Sequence, residues 1–216
     1  MRAFQADGRT ISAYLAVPEH GSGPGVVVLH AWWGLNDFFK QVCDRLAREG
    51  FIALAPDLYH GKTTTSTDEA YQLASEHIMS DETSQDLTAS IDYLLKQPGR
   101  RGKTLGAVGF SLGGFWALGL SDHIAAIVTF YGTTPPERVK AEADVLGHFA
   151  EHDDEEPVEQ VRQFEEALRS SGRQVSFFTY PGTRHWFFEE NRPEYDAEAA
   201  RVAWERTIEF LHQRLD

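Results

Sequence analysis

Short runs of consecutive apolar residues alternate along the chain with longer segments whose apolar residues recur every three or four positions. An unbroken run such as 26–29 is typical of a strand buried on both faces, whereas the longer spacing indicates one apolar face of a helix. The predicted strands are 26–29, 51–55, 104–110, 125–131, 145–150 and 175–180. Their alternation with helices predicts the α/β class, with a mainly parallel sheet covered by helices on both faces.

The predicted helices begin near residues 36, 66, 80, 115 and 157, and a last helix closes the chain. Three of these starts have a side chain that can cap the helix, which is Asn36 or Asp37 for the first, Ser66 for the second and Ser80 for the third. The apolar stripe of the C-terminal helix is interpreted as core, and it consists of Ala200, Trp204, Ile208, Leu211 and Leu215.

The chain has 216 residues, with 33 acidic and 20 basic side chains and a net charge of −13. This balance argues against a nucleic-acid-binding surface, which needs clustered Lys and Arg, and against contact with an anionic membrane. Cys43 is the only cysteine, so no internal disulfide can form, and its helical surroundings indicate a core position. A chain of this length fits one domain, so we expect a single domain spanning 1–216. Since the chain shows neither an apolar signal segment nor a membrane-spanning run, we expect it in the cytoplasm.

Residues 109–113 form the pattern G-x-S-x-G around Ser111, between a predicted strand and a predicted helix. In that context the serine lies on a sharp turn at the carboxyl edge of a sheet, and its hydroxyl is exposed for attack. The pattern alone also fits an ordinary glycine turn. The strand before it, the helix after it and suitable partners downstream favour a catalytic serine.

A serine hydroxyl needs a base that takes its proton, and the base needs a carboxylate that fixes its tautomer. The chain contains nine His residues, and His185 is the best candidate because it follows the last predicted strand after a Pro-Gly turn. His148, inside a strand, is interpreted as structural. Asp153 follows the strand 145–150 and is preferred as the acid over Asp154.

The acids that follow Asp153 have a simpler interpretation, since Asp154, Glu155 and Glu156 precede a helix whose dipole they can complement. The order Ser111, Asp153, His185 along the chain is that of an α/β-hydrolase. An oxyanion hole is expected from the backbone N–H of Leu112 and from one N–H in the loop 30–36. Trp32 is the preferred donor there, with Ala31 and Trp33 as alternatives.

Five segments together resemble the dienelactone hydrolase family over nearly the whole chain: 30–36 (HAWWGLN), 55–59 (APDLY), 109–114 (GFSLGG), 147–153 (GHFAEHD) and 180–185 (YPGTRH). The resemblance implies a compact α/β-hydrolase fold without a separate lid domain, and esterase-type chemistry. Dienelactone hydrolase itself carries a cysteine nucleophile where this chain has Ser111, and a glutamate paired with that thiol where this chain has Ala31. Its two arginines for a substrate carboxylate correspond to positions near Gly61 and Glu189.

These replacements favour an uncharged substrate, and aromatic residues near the strand ends would suit it: Trp33, Tyr59, Trp186 and Phe187, beside Trp32. We expect a serine hydrolase of small esters, lactones or thioesters that acts through an acyl-enzyme, without metal or cofactor. Its partner is a small-molecule substrate, with no nucleic acid and no membrane, and the chain is a monomer or homodimer. The alternatives are a hydrolase of amide or carbon–carbon bonds and a non-catalytic binding or sensor protein.

Overall fold

The computed structural model describes residues 1–6, 8–120, 123–139 and 142–215. The chain divides into two compact units, Met1–Leu105 and Gly106–Asp216. The expectation of a single domain spanning 1–216 stays a prediction.

The N-terminal unit contains four complete strands: β1 (Arg2–Ala6), β2 (Arg9–Ala16), β3 (Gly23–Leu29) and β4 (Ile52–Pro56). β1 pairs antiparallel with β2, β2 pairs antiparallel with β4, and β3 runs parallel to β4. The sequence analysis missed β1 and β2, because both are partly exposed and lack an unbroken apolar run. The helices of this unit are α1 (Asp37–Arg48), α2 (Thr67–His77) and α3 (Asp81–Leu95).

The caps of these helices are those that the sequence predicts. The side chain of Asn36 accepts hydrogen bonds from the N–H groups of Phe38 and Phe39, and those of Ser66 and Ser80 cap α2 and α3. Cys43 is fully buried in α1, and burial raises the pKa of its thiol. A buried thiol with a raised pKa is a core residue, as predicted.

Strand β5 (Arg100–Phe110) contains the boundary between the two units. The C-terminal unit continues with α4 (Leu112–Leu118), β6 (Ile124–Phe130), β7 (Asp144–His152), α5 (Val158–Ser170), β8 (Val175–Arg184) and α6 (Ala197–Leu215). β6 is parallel to β7 and β7 to β8. The strand order is β1-β2-β4-β3-β5-β6-β7-β8, and this mainly parallel arrangement with intervening helices is the predicted α/β class.

Helix α6 buries a different face from the predicted one. Ala200, Leu211 and Leu215 are buried as expected, but Trp204 and Ile208 are partly exposed, so their assignment to the core is wrong. Ala203 and Thr207 take the central positions instead. The Thr207 hydroxyl lies 3.0 Å from Nε2 of His148 in β7, so the buried hydroxyl has a hydrogen-bond partner on this face of the helix. Within the described part of the chain, every helix is too short or too polar to cross a membrane.

Candidate active site

Ser111 lies on a strained turn between β5 and α4. Its φ of +52° falls in the left-handed region that side chains with a Cβ rarely adopt, and its N–H donates to the carbonyl oxygen of Phe130 at the end of β6 (2.9 Å). Gly109 is required because a Cβ at that position would collide with the carbonyl oxygen of Gly113. The turn therefore presents the serine side chain at the carboxyl end of the strand.

His185 directly follows β8 and lies between Ser111 and Asp153. Its Nε2 is 3.0 Å from Oγ of Ser111, and its Nδ1 is 2.9 and 2.8 Å from the two carboxylate oxygens of Asp153. The histidine is 7% exposed, so water has little access to these bonds. Gly182, near the end of β8, donates its N–H to the Glu151 carboxylate at the end of β7 (2.8 Å), which ties the two strand ends together.

Asp153 is the first residue after β7, and its side chain is fully buried. The backbone N–H groups of Glu155 and Glu156 each donate to its Oδ1 at 3.0 Å, so the backbone holds the carboxylate that contacts His185. Asp154 is exposed. The structure thus brings Ser111, His185 and Asp153 into one hydrogen-bonded chain, in which Asp154 takes no part.

The interpretation of Glu156 as a helix-dipole acid stays a prediction, and its carboxylate also has a specific partner in Thr133. Its two carboxylate oxygens accept hydrogen bonds from the N–H and the hydroxyl of Thr133, at 2.8 and 2.7 Å. Burial raises the pKa of Glu156, although these hydrogen bonds oppose the shift. Helix α5 has Pro157 as its N-cap, so Glu156 lies outside the helix and is directed to the loop after β6.

A second buried pair lies behind His185 and was missed by the sequence analysis. The ring of Tyr131 packs on the His185 imidazole with the ring centres 4.8 Å apart, and its hydroxyl donates to Oε1 of Glu189 (2.9 Å). Burial raises the pKa of Glu189 to about 8, so the acid is protonated at neutral pH. Its Oε2 has no hydrogen-bond partner among the described residues. Tyr131 and Glu189 are 58 positions apart, and no sequence pattern indicates that they are in contact.

The other residues that the sequence associates with the site lie in different surroundings. Leu112 is the first residue of α4, and its N–H belongs to the first turn, where helix N–H groups have no acceptor within the helix. Trp186 is partly exposed, with its ring edge against His185 at 4.9 Å. Phe187 is fully buried and packs on Tyr131 and Tyr180. Trp186 therefore contacts His185 directly, and Phe187 supports it through Tyr131.

Trp32, Trp33 and Tyr59 belong to the N-terminal unit. The rings of Trp32 and Trp33 meet edge to face at 5.2 Å, and Trp33 and Tyr59 are buried. Tyr59 packs on His30, whose Nε2 accepts the N–H of Leu58 at 3.3 Å. Burial lowers the pKa of His30 to about 4, so this histidine is neutral at physiological pH and structural.

Two further observations bear on the chemistry. His148 is buried between the Tyr180 hydroxyl (2.8 Å, at Nδ1) and Thr207 (3.0 Å, at Nε2), and burial lowers its pKa to about 3, so its structural role is confirmed. Within the described ranges, no group of three or more His, Cys, Asp or Glu side chains could hold a metal ion.

Known proteins resemble this chain over almost its whole length. The model of the dienelactone hydrolase family matches residues 11–215. The chain is 33% identical to protein usf of Aquifex pyrophilus, with 100% of this chain and 98% of the relative covered. It is 30% identical to an Aquifex aeolicus protein provisionally named carboxymethylenebutenolidase, with 98% and 96% covered.

Among solved structures, a provisionally assigned dienelactone hydrolase of Klebsiella pneumoniae superposes with a TM-score of 0.86 at 24% identity, over 96% of this chain and 95% of that one. At that identity the likeness shows the fold, which is the α/β-hydrolase fold. The family match, which spans all but the first ten residues and the last one, decides the classification. The chain belongs to the dienelactone hydrolase family.

Proposed function

We propose that this protein cleaves small ester, lactone or thioester substrates through an acyl-enzyme formed on Ser111. As a member of its family the chain is a hydrolase of ester bonds, and the proposal adds the nucleophile, the intermediate and the substrate class. The observation that carries the proposal is the hydrogen-bonded chain from Oγ of Ser111 through His185 to Asp153.

In this mechanism His185 takes the proton of Ser111 as its oxygen attacks the carbonyl carbon, and a tetrahedral intermediate forms. Asp153 accepts the Nδ1–H of the imidazole and stabilises the positive charge that develops on the ring. The same proton is then given to the leaving alcohol or thiol, which departs and leaves the acyl group on Ser111. Water, activated by His185, hydrolyses this acyl-enzyme in the second half of the reaction.

The N–H of Leu112 serves as one donor to the oxyanion, because it follows the nucleophile and lies at the start of α4. The second donor, for which the sequence favours Trp32 over Ala31 or Trp33, stays a prediction. The same triad can also cleave amides, but the sequence similarity to a relative named for butenolide hydrolysis favours esters and lactones.

Ser111→Ala tests this proposal. It should lower kcat by at least about 10³-fold, and toward 10⁶-fold as in other serine triads, with an unchanged thermal transition. A fluorophosphonate should label Ser111 in the wild type and nothing in the variant. Cys43→Ala is the matched control, since it removes the only thiol and should retain both turnover and labelling. Full activity of Ser111→Ala, or labelling at another residue, would overturn the nucleophile assignment.

A further inference from the structure

Two aromatic residues that contact the His185 imidazole have a strained backbone. The Tyr131 ring lies with its centre 4.8 Å from that of the imidazole, and its φ is +40°. Trp186 meets the imidazole edge-on at 4.9 Å, and its φ is +66°. Both angles fall in the left-handed region, as does that of Ser111. Because such a conformation persists only where the surrounding structure imposes it, specific contacts must hold these two residues in place.

Glu189 is bonded to both of these residues. Its Oε1 accepts a hydrogen bond from the Tyr131 hydroxyl (2.9 Å), and its backbone N–H donates to the carbonyl oxygen of Trp186 (2.9 Å). Glu189 is fully buried, so water does not compete for either bond. One residue outside the triad is thus tied to the two residues that flank the histidine.

The Tyr131 ring is held at both of its ends. At the backbone, the N–H of Tyr131 donates to the carbonyl oxygen of His148 in β7 (2.7 Å), and the Phe187 ring packs on the tyrosine ring with the centres 5.6 Å apart. At the other end, the hydroxyl has Glu189 as its acceptor. Without that acceptor the ring would still be packed, but it would lose the polar contact that fixes its tilt against the imidazole.

His185 needs this support because Asp153 holds only one of its nitrogens. Both carboxylate oxygens of Asp153 contact Nδ1, and a ring held at one atom can tilt about that atom. The tilt decides whether Nε2 stays at 3.0 Å from Oγ of Ser111, which is the distance that proton transfer requires. We propose that Glu189, acting through Tyr131, is a positioning residue that holds His185 in line with Ser111, an inference that rests on the proposed function.

The acid form of Glu189 suits this role. Burial raises its pKa to about 8, so at pH 7 the side chain is an uncharged acid. It therefore supplies an acceptor to Tyr131 without placing a second negative charge behind the ring that covers the imidazole. Glutamine is a close substitute at pH 7, since it is neutral, has nearly the same size and retains an acceptor oxygen.

The first experiment removes the acceptor and then restores it. At pH 7, Glu189→Leu should lower kcat for p-nitrophenyl butyrate by about tenfold to a hundredfold with little change in KM, because a small displacement of a catalytic group has effects of this size. Glu189→Gln keeps the acceptor and should recover most of the lost kcat. Glu190→Leu is the matched control, with the same change on the exposed neighbouring side chain, and should leave kcat unchanged.

Tyr131→Phe removes the other partner of the same bond and keeps the ring. It should lower kcat in the same direction as Glu189→Leu, and the double variant should be no slower than the more impaired single variant, since both changes remove one interaction. If Glu189→Leu fails to fold, which a thermal melt shows, Tyr131→Phe compared with wild type carries the test alone.

Two further measurements separate positioning from a purely structural role. A fluorophosphonate reacts with Ser111 through the His185 base, so its second-order labelling rate should fall with kcat in Glu189→Leu and Tyr131→Phe and recover in Glu189→Gln. The proton on Nδ1 of His185, bonded to a carboxylate, should give a far-downfield NMR signal in wild type that broadens in Glu189→Leu. A residue needed only for folding would lower the melting temperature and leave both measurements on the folded protein unchanged.

Wild-type kcat and labelling rates in both Glu189→Leu and Tyr131→Phe would overturn the inference. A higher KM with unchanged kcat and labelling would also overturn it, because the pair would then act on substrate binding and not on the histidine. If wild type itself hydrolyses no ester and Ser111 is not labelled, the proposed function fails, which is a distinct outcome.

Discussion

His185 is held by four groups of different chemistry. Asp153 engages Nδ1, Ser111 lies at Nε2, the ring of Tyr131 covers the imidazole, and Trp186 meets it edge-on. Because an ionised carboxylate only accepts hydrogen bonds, Nδ1 must carry the proton and Nε2 is free to accept the serine proton. The environment thus selects the tautomer that nucleophilic attack requires.

Asp153→Asn should lower kcat by roughly 10⁴-fold, because the amide can donate to Nδ1 and favours the wrong tautomer. Asp154→Asn is the matched control, with the same chemical change one residue later on an exposed side chain. Its effect should stay below about tenfold, as expected for a charge near a helix start. Steady-state kinetics on one ester measures both. The reverse ranking would transfer the role to Asp154.

Glu189 makes stability depend on pH with a definite sign. Burial raises its pKa from 4.5 to about 8. The hydrogen bond from Tyr131 and the charge of Arg192 lower this pKa, and the charge of Glu194 raises it. The native state therefore holds a proton that the unfolded state releases above pH 4.5. The free energy of unfolding falls as pH rises between about 4.5 and 8, and this loss levels off above 8.

Glu189→Gln should remove that pH dependence, since the amide is neutral in both states and can still accept the Tyr131 hydroxyl proton. The gain in unfolding free energy of the variant over wild type should grow from pH 5 to pH 8 and then remain constant. Urea unfolding at pH 5, 6, 7, 8 and 9 measures it. Parallel curves for the two proteins would show that Glu189 does not titrate in this range.

At the scale of elements, strands could be predicted where apolar residues follow one another closely. β3 to β7 carry buried apolar runs, and β8 carries Val175, Phe177, Phe178 and Tyr180 although it is partly exposed. β1 and β2 are partly exposed and lack such a run. The face of α6 could not be predicted because the polar residue Thr207 is buried on it and bonds to His148, which lies 59 positions away. The contact of Tyr131 with Glu189 was missed for the same reason, as it depends on tertiary structure alone.

His148 joins three elements, since it lies in β7 and bonds to Tyr180 of β8 and Thr207 of α6. Thr207→Val preserves shape but leaves Nε2 unpaired in the core, which costs about 1–3 kcal/mol. The melting temperature should fall by roughly 2–10 °C. Thr179→Val, on the exposed side of β8, is the control and should change it little. Calorimetry measures both, and equal melting temperatures would show that this bond contributes nothing.

At the scale of the whole molecule, the site is assembled where β5, β7 and β8 end within the C-terminal unit. This could be predicted from the sequence, because the three residues each follow a strand and parallel strands end at one edge. The chain as a whole carries an excess of acidic side chains, 33 against 20 basic ones. That excess and the absence of the family's arginines at Gly61 and Glu189 both bear on the substrate's charge.

A neutral substrate should therefore be hydrolysed faster than a carboxylated one. The matched pair is p-nitrophenyl butyrate and the p-nitrophenyl monoester of succinate, which share a leaving group and differ by a terminal carboxylate. Without two charge-assisted hydrogen bonds of about 1.5–3 kcal/mol each, the carboxylated ester should lose about 10²- to 10⁴-fold in kcat/KM relative to a site that makes them, so the neutral ester should have the higher kcat/KM.

Salt separates the two causes of this preference. Repulsion by the net charge of −13 is screened within about 10 Å at 0.1 M salt. The part of the kcat/KM preference that disappears when salt is raised therefore comes from this long-range repulsion. The part that remains reflects the site, where Glu189 is buried and bonded to Tyr131 and cannot bind a carboxylate. Faster hydrolysis of the succinate ester at every salt concentration would contradict the prediction and would require a basic side chain at the site, for which Arg184 and Arg192 of the C-terminal unit are the candidates.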